Sequence, residues 1–204
     1  MTTKLFFILL ICVSSLKAQL IDNEITNHLS YASSQTDVEK KLLLALAKTE
    51  TSFNRYSIGI VANNPHMLKT FFEINNMKFS QGKEEKAKYF SLTINDKERA
   101  EEYFYKFKYF IKKYPNAVKT YDLGLMQINI SNIKGDEETE KMYLFNTKIN
   151  SLYGASILQQ CFNKFKNVKY AIECYNKGND RKKFGNFEYF NRVVTNYLSL
   201  KQYN

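Results

Sequence analysis

The chain has 204 residues, a net charge of +10 and 15% aromatic residues. That is the size of one domain with room for a sizeable core. The lysines are spread along the chain without a nucleic-acid motif, so a nucleic-acid partner is not expected.

The chain opens as an address label. Lys4 gives a positive charge, an unbroken apolar run fills residues 5–13, and Ser14, Ser15 and Ala18 offer small residues for cleavage. This order predicts a signal peptide over residues 1–18, with Cys12 inside it; the run is too short for a stable anchor. Lys4 and Lys17 are the only charged residues there, so residues 19–204 keep +8 and form the expected single domain. A basic exported protein suits an anionic cell wall or membrane surface. The localisation expected is periplasmic or secreted, with no stable membrane anchor after cleavage.

Thr36-Asp37-Val38-Glu39 has the form of a capping box and predicts a helix running to about Phe53. Leu42, Leu46, Glu50 and Phe53 follow at helical spacing, which puts one carboxylate on a largely apolar stripe. Desolvation there would raise its pKa, as a general acid working near neutral pH needs. Residues 57–61 and 89–95 alternate as strands and predict a small hairpin or sheet. Asn64-Pro65 starts a helix between them. Asn95-Asp96 caps another, carrying Ala100, Tyr103, Phe104, Phe107 and Phe110 and ending before Pro115. Residues 114–121 read as loop. The C-terminal third reads as helical, broken at residues 178–185. The fold class expected is mainly α, an α+β domain with a small β-hairpin.

Residues 154–165 and 168–176 read as an antiparallel helix pair about a turn at Lys166-Asn167. Cys161 and Cys174 stand about equally far from that turn, so a disulfide is expected in an oxidising compartment, two buried thiols being the alternative. His28 and His66 are far apart and the cysteines have no further partners, so neither a metal site nor a cofactor is expected.

Four segments carry the chemistry. Ala47-Lys48-Thr49-Glu50-Thr51-Ser52-Phe53-Asn54-Arg55-Tyr56-Ser57-Ile58-Gly59 comes first. Tyr121-Asp122-Leu123-Gly124-Leu125-Met126-Gln127-Ile128-Asn129 and Ala171-Ile172-Glu173-Cys174-Tyr175-Asn176-Lys177-Gly178 follow, then Tyr189-Phe190-Asn191-Arg192-Val193 with Tyr197. In this order they resemble the motifs of peptidoglycan lytic transglycosylases with a goose-type-lysozyme-like (SLT) domain, over about residues 37–200. The second segment, with Leu144-Phe145-Asn146 and residues 154–158, looks most like the small transglycosylases that accompany conjugation and type IV secretion machinery. Thr51 stands where the family has Ser and Arg55 where it has Pro, and the stretch between the first two motifs is long.

The resemblance implies a lysozyme-like enzyme fold and peptidoglycan glycan strands as substrate. Glu50 would be the single acid/base that cleaves the MurNAc–GlcNAc bond to a 1,6-anhydro product. Thr51, Gly124, Met126, Gln127, Asn129, Tyr175, Asn176 and Tyr189 would surround the substrate, with Asp122 as a structural cap. Secretion or conjugation apparatus proteins are the expected partners. Two alternatives stand beside it: a hydrolytic muramidase, with Asp122 or Asp180 as second acid, and a glycan-binding assembly factor with weak or no catalysis.

Overall fold

The computed structural model describes residues 21–82 and 88–200. The expected signal peptide, residues 1–18, lies outside the described residues. The architecture is mainly helical with one small antiparallel sheet, as the sequence predicts.

Helices α1 (Asn23–Ser34) and α2 (Lys40–Thr51) come first. The capping-box expectation is corrected here. The N-cap of α2 is Glu39, without a side-chain cap. Thr36 instead donates to the Ala32 carbonyl and accepts from the Val38 N–H. The two helices share so short a turn that the hydroxyl closes the first helix rather than opening the second. Leu43, Leu44, Leu46 and Ala47 of α2 are fully buried, so this helix runs through the core.

Strand β1 (Ile58–Ala62) leads to α3 (Pro65–Ile74), whose N-cap Asn64 accepts from the Met67 N–H. β2 (Ser80–Gln81) and β3 (Tyr89–Leu92) precede α4 (Lys97–Lys113), capped by Asp96. Ala100, Tyr103, Phe104, Phe107 and Phe110 are all buried on one side of α4. Each fully buried Phe contributes about 2–3 kcal/mol.

Residues 118–121, expected within a loop, belong instead to a strand, β4 (Val118–Leu123). It pairs with β1 on one side and with β5 (Ile128–Asn129) on the other, giving the order β2-β3-β1-β4-β5. Sheet periodicity explains the miss. Tyr121 and Leu123 are buried, while Thr120 and Asp122 are polar and point to the other face. The same alternation buries Ile58, Ile60, Phe90 and Leu92 and leaves Gly59, Val61, Tyr89 and Ser91 on the polar face.

Helices α5 (Glu137–Phe145), α6 (Thr147–Phe165), α7 (Val168–Lys177) and α8 (Glu188–Ser199) complete the domain, with short 3₁₀ turns at Ile130–Asn132 and Arg181–Lys183. α6 packs along α1 and α7, and α8 packs along α2. A disulfide joins Cys161 of α6 to Cys174 of α7. Among the described residues no helix is long and apolar enough to cross a membrane.

Candidate active site

Glu50 occupies the last turn of α2, where Ser52 and Phe53 take left-handed backbone and turn the chain sharply away. Its carboxylate opens into a cleft of about 780 Å³. The polar face of the sheet supplies one wall through Val61, Tyr89, Thr120, Asp122 and Asn129. The end of α7 supplies the other, through Tyr175, Asn176 and Lys177. Glu50, Gln127, Asn129, Tyr175 and Asn176 therefore meet in one cleft although the sequence scatters them.

Burial of the carboxyl pushes the Glu50 pKa up to about 7. The hydroxyl of Tyr189, on the first turn of α8, donates to Glu50 Oε1 and pulls it part of the way back. The negative charge of Asp122 raises it, and Arg192 lowers it. Burial also raises Asp122 to about 6, against the bond it accepts from Asn129 Nδ2 at 2.7 Å. Asp122 caps no turn, contrary to the structural role expected for it; it is a strand residue facing the acid. Asp180 caps the 3₁₀ turn at Arg181–Lys183 and is exposed.

The Gly124–Gln127 turn is built for close approach. Gly124 has φ +77, and a Cβ there would meet Asn150 Nδ2 at 2.5 Å. Gln127 itself is left-handed at φ +48, which costs about 1 kcal/mol. Its Nε2 is held by the carbonyls of Gly124 and Ser57, which leaves Oε1 lying over Gly59. A Cβ on Gly59 would come within 2.5 Å of that oxygen.

Four residues expected at the substrate do not line the cleft: Thr51, Gly124, Met126 and Tyr189, the last buried with its hydroxyl on Glu50. Met126 is fully buried and Gly124 lies in the core-side turn. The Thr51 hydroxyl donates to the carbonyls of Ala47 and Leu125, so it ties α2 to this turn. Tyr175 lines the cleft with its ring, but its hydroxyl is committed to the Met126 carbonyl at 2.7 Å. Asn129 donates to Thr120 and Asp122 and accepts from Ser131, so its amide is also spoken for.

The family model for the Transglycosylase SLT domain matches residues 28–192. The chain belongs to this family. Its members are lytic transglycosylases acting on peptidoglycan. No curated protein and no solved structure matches the chain.

Sequence reasoning missed three supports of this SLT site. Asn150, fully buried on α6, accepts from the Met126 N–H at 2.7 Å and donates to the carbonyls of Leu123 and Tyr143. It clips the Gln127 turn to the helix. Gly59 was visible in the first motif, but its need for bare backbone appears only once Gln127 lies over it. Glu173 is fully buried on α7. Its Oε1 accepts from the Phe190 N–H at 2.9 Å, and its Oε2 lies 3.0 Å from Lys177 Nζ. The N-cap of α8 is Phe187, which offers no side-chain bond, so Glu173 caps α8 from outside. That fixes the turn carrying Tyr189 against Glu50. Among the described residues no cluster of three or more His, Cys, Asp or Glu is placed to hold a metal ion.

Proposed function

We propose that the protein is an exported lytic transglycosylase that cleaves the β-1,4 bond between MurNAc and GlcNAc, with Glu50 as its only acid/base. The observation that carries this is the Glu50 carboxyl, desolvated in the cleft wall and raised to about 7, so that it holds a proton near neutral pH. Glu50 donates that proton to the bridging oxygen as the bond from C1 breaks. The MurNAc C6 oxygen then bonds to C1, and Glu50 takes back the C6 hydroxyl proton. The product is a 1,6-anhydro sugar, and no water enters.

Tyr189, kept protonated by burial and by the Glu50 charge, steadies the carboxylate between the two transfers. Gln127 Oε1 and the exposed Asn176 amide face the sugars, while Tyr175, Thr51 and Asn129 hold the walls. The disulfide supports an oxidising compartment, and the N-terminal segment supports export. Local opening of the wall for a secretion or conjugation apparatus is the biological role proposed, supported by the form of the second motif.

One observation favours a second reading. Asp122 shares the cleft with Glu50 and would serve as the second carboxylate of a hydrolytic muramidase. Mass spectrometry of digested sacculi separates the two. Transglycosylation releases anhydro-muropeptides, one water lighter than the reducing-end products of hydrolysis. Reducing ends that disappear in Asp122→Asn would transfer the enzyme to the hydrolases. A zymogram without clearing would leave the chain a glycan-binding assembly factor.

A further inference from the structure

The cleft does not end at the groups around Glu50. It continues over the polar face of the sheet, where Val61 pairs with Tyr89 of β3 on one side and with Thr120 of β4 on the other. All three line the cleft, so they form one row across three strands. Two strand spacings place Tyr89 about 10 Å from Thr120. Thr120 is in turn tied to Asn129, and Asn129 to Asp122. A continuous floor thus joins the reacting carboxyl to Tyr89 on β3.

The character of that outer end differs from the centre. The centre is acidic, with Glu50 and Asp122. The outer end is aromatic and basic. Tyr89 is 46% exposed, whereas its strand neighbour Phe90 is 3% exposed and packs against Phe72 and Phe79. The Lys88 ammonium lies 5.6 Å from the Tyr89 ring centroid, and Lys119 lines the same end of the cleft from β4. A ring with an apolar face and a polar tip, beside ammonium groups, suits a pyranose that carries a carboxylate.

We propose that Tyr89 and Lys119 form an outer saccharide subsite. It takes a sugar of the same glycan strand beyond the pair at the scissile bond, with the ring of Tyr89 against the sugar's apolar face. Lys119 faces the carboxylates of the peptide substituent on that sugar. The subsite rests on the glycan-cleaving reading and deepens it, because it makes the enzyme prefer long, peptide-bearing strands.

The test measures cleavage by wild type, Tyr89→Ala, Tyr89→Phe and Lys119→Ala on glycan oligosaccharides of increasing length, each with and without stem peptides. Tyr89→Ala is expected to raise KM on long strands about tenfold, with a smaller loss as the oligosaccharide shortens. Tyr89→Phe retains most of the affinity. Lys119→Ala loses the preference for peptide-bearing strands and lowers the salt dependence. Binding of the same ligands to the Glu50→Gln background gives the affinities without turnover. Equal KM for wild type and Tyr89→Ala at every length overturns the subsite, as does an equal loss at every length. If wild type cleaves and these variants match it, only the subsite falls. If wild type cleaves no glycan, the transglycosylase reading falls first and the subsite with it.

Discussion

The two faces of strand β4 look onto two enclosed carboxylates, Glu140 of α5 and Glu50 of α2. On the core side, Glu140 accepts from Lys108 Nζ at 2.7 Å on both oxygens and from the Tyr121 hydroxyl at 2.6 Å. On the cleft side, Glu50 has the Tyr189 hydroxyl as its one hydrogen-bond partner among the described residues, and Asp122 adds repulsion. The first carboxylate is matched by a cation and a hydroxyl, and it braces α4 against α5. The second is desolvated with no cation in ion-pair contact, only the weaker pull of Arg192, so it keeps its proton to about pH 7. At Glu50, burial outweighs the Tyr189 bond and the pull of Arg192, and that balance holds the proton.

Removing each group in turn tests that contrast. Glu50→Gln should lower cleavage of sacculi by roughly 10³-fold or more, with the circular dichroism of the folded protein unchanged. The same variant should gain stability in alkali. The folded pKa of Glu50 lies above its ordinary value, so its contribution favours folding at low pH and is lost as pH rises through about 7. Denaturation at pH 8 should therefore show a gain on the order of 1 kcal/mol.

Lys108→Met is the converse. It leaves Glu140 without its cation and should cost about 3 kcal/mol in urea unfolding. The pH profile of the surviving activity should not move, because Lys108 faces away from the cleft.

Smaller effects fall on the neighbours of Glu50. A general acid must be protonated, so the rate should fall as pH rises through about 7. Tyr189→Phe removes a bond that favours the carboxylate. It should move this alkaline limb to higher pH and slow turnover about tenfold. Asp122→Asn removes a repelling charge and should move the limb the other way, to lower pH. Glu173→Ala should reproduce part of the Tyr189→Phe shift and cost about 1 kcal/mol in stability, since it uncaps the helix that holds Tyr189. A loss of stability with an unmoved limb would reduce Glu173 to a structural cap.

Much of this was legible in the sequence. The α4 stripe from Ala100 to Phe110, the Asn64 and Asp96 caps and the apolar setting of Glu50 follow from local spacing. β4 was not, because its outward residues floor the cleft and so stay polar: Thr120 and Asp122 look like loop residues until a partner strand is known. Asn150 and Glu173 were invisible for another reason. Each acts on backbone distant in sequence, Asn150 on Met126 and Glu173 on Phe190. Thr51 shows the reverse: a motif hydroxyl that reads as substrate-facing serves two carbonyls instead.

Carbon-13 NMR of glutamate-labelled protein, with Glu50→Gln to assign the signal, reads the decisive quantity directly. The account predicts that the Glu50 carboxyl titrates with a midpoint near 7. A midpoint in the ordinary carboxylate range, about 4–5, would mean a solvated and ionised side chain with no proton to give, and would contradict it.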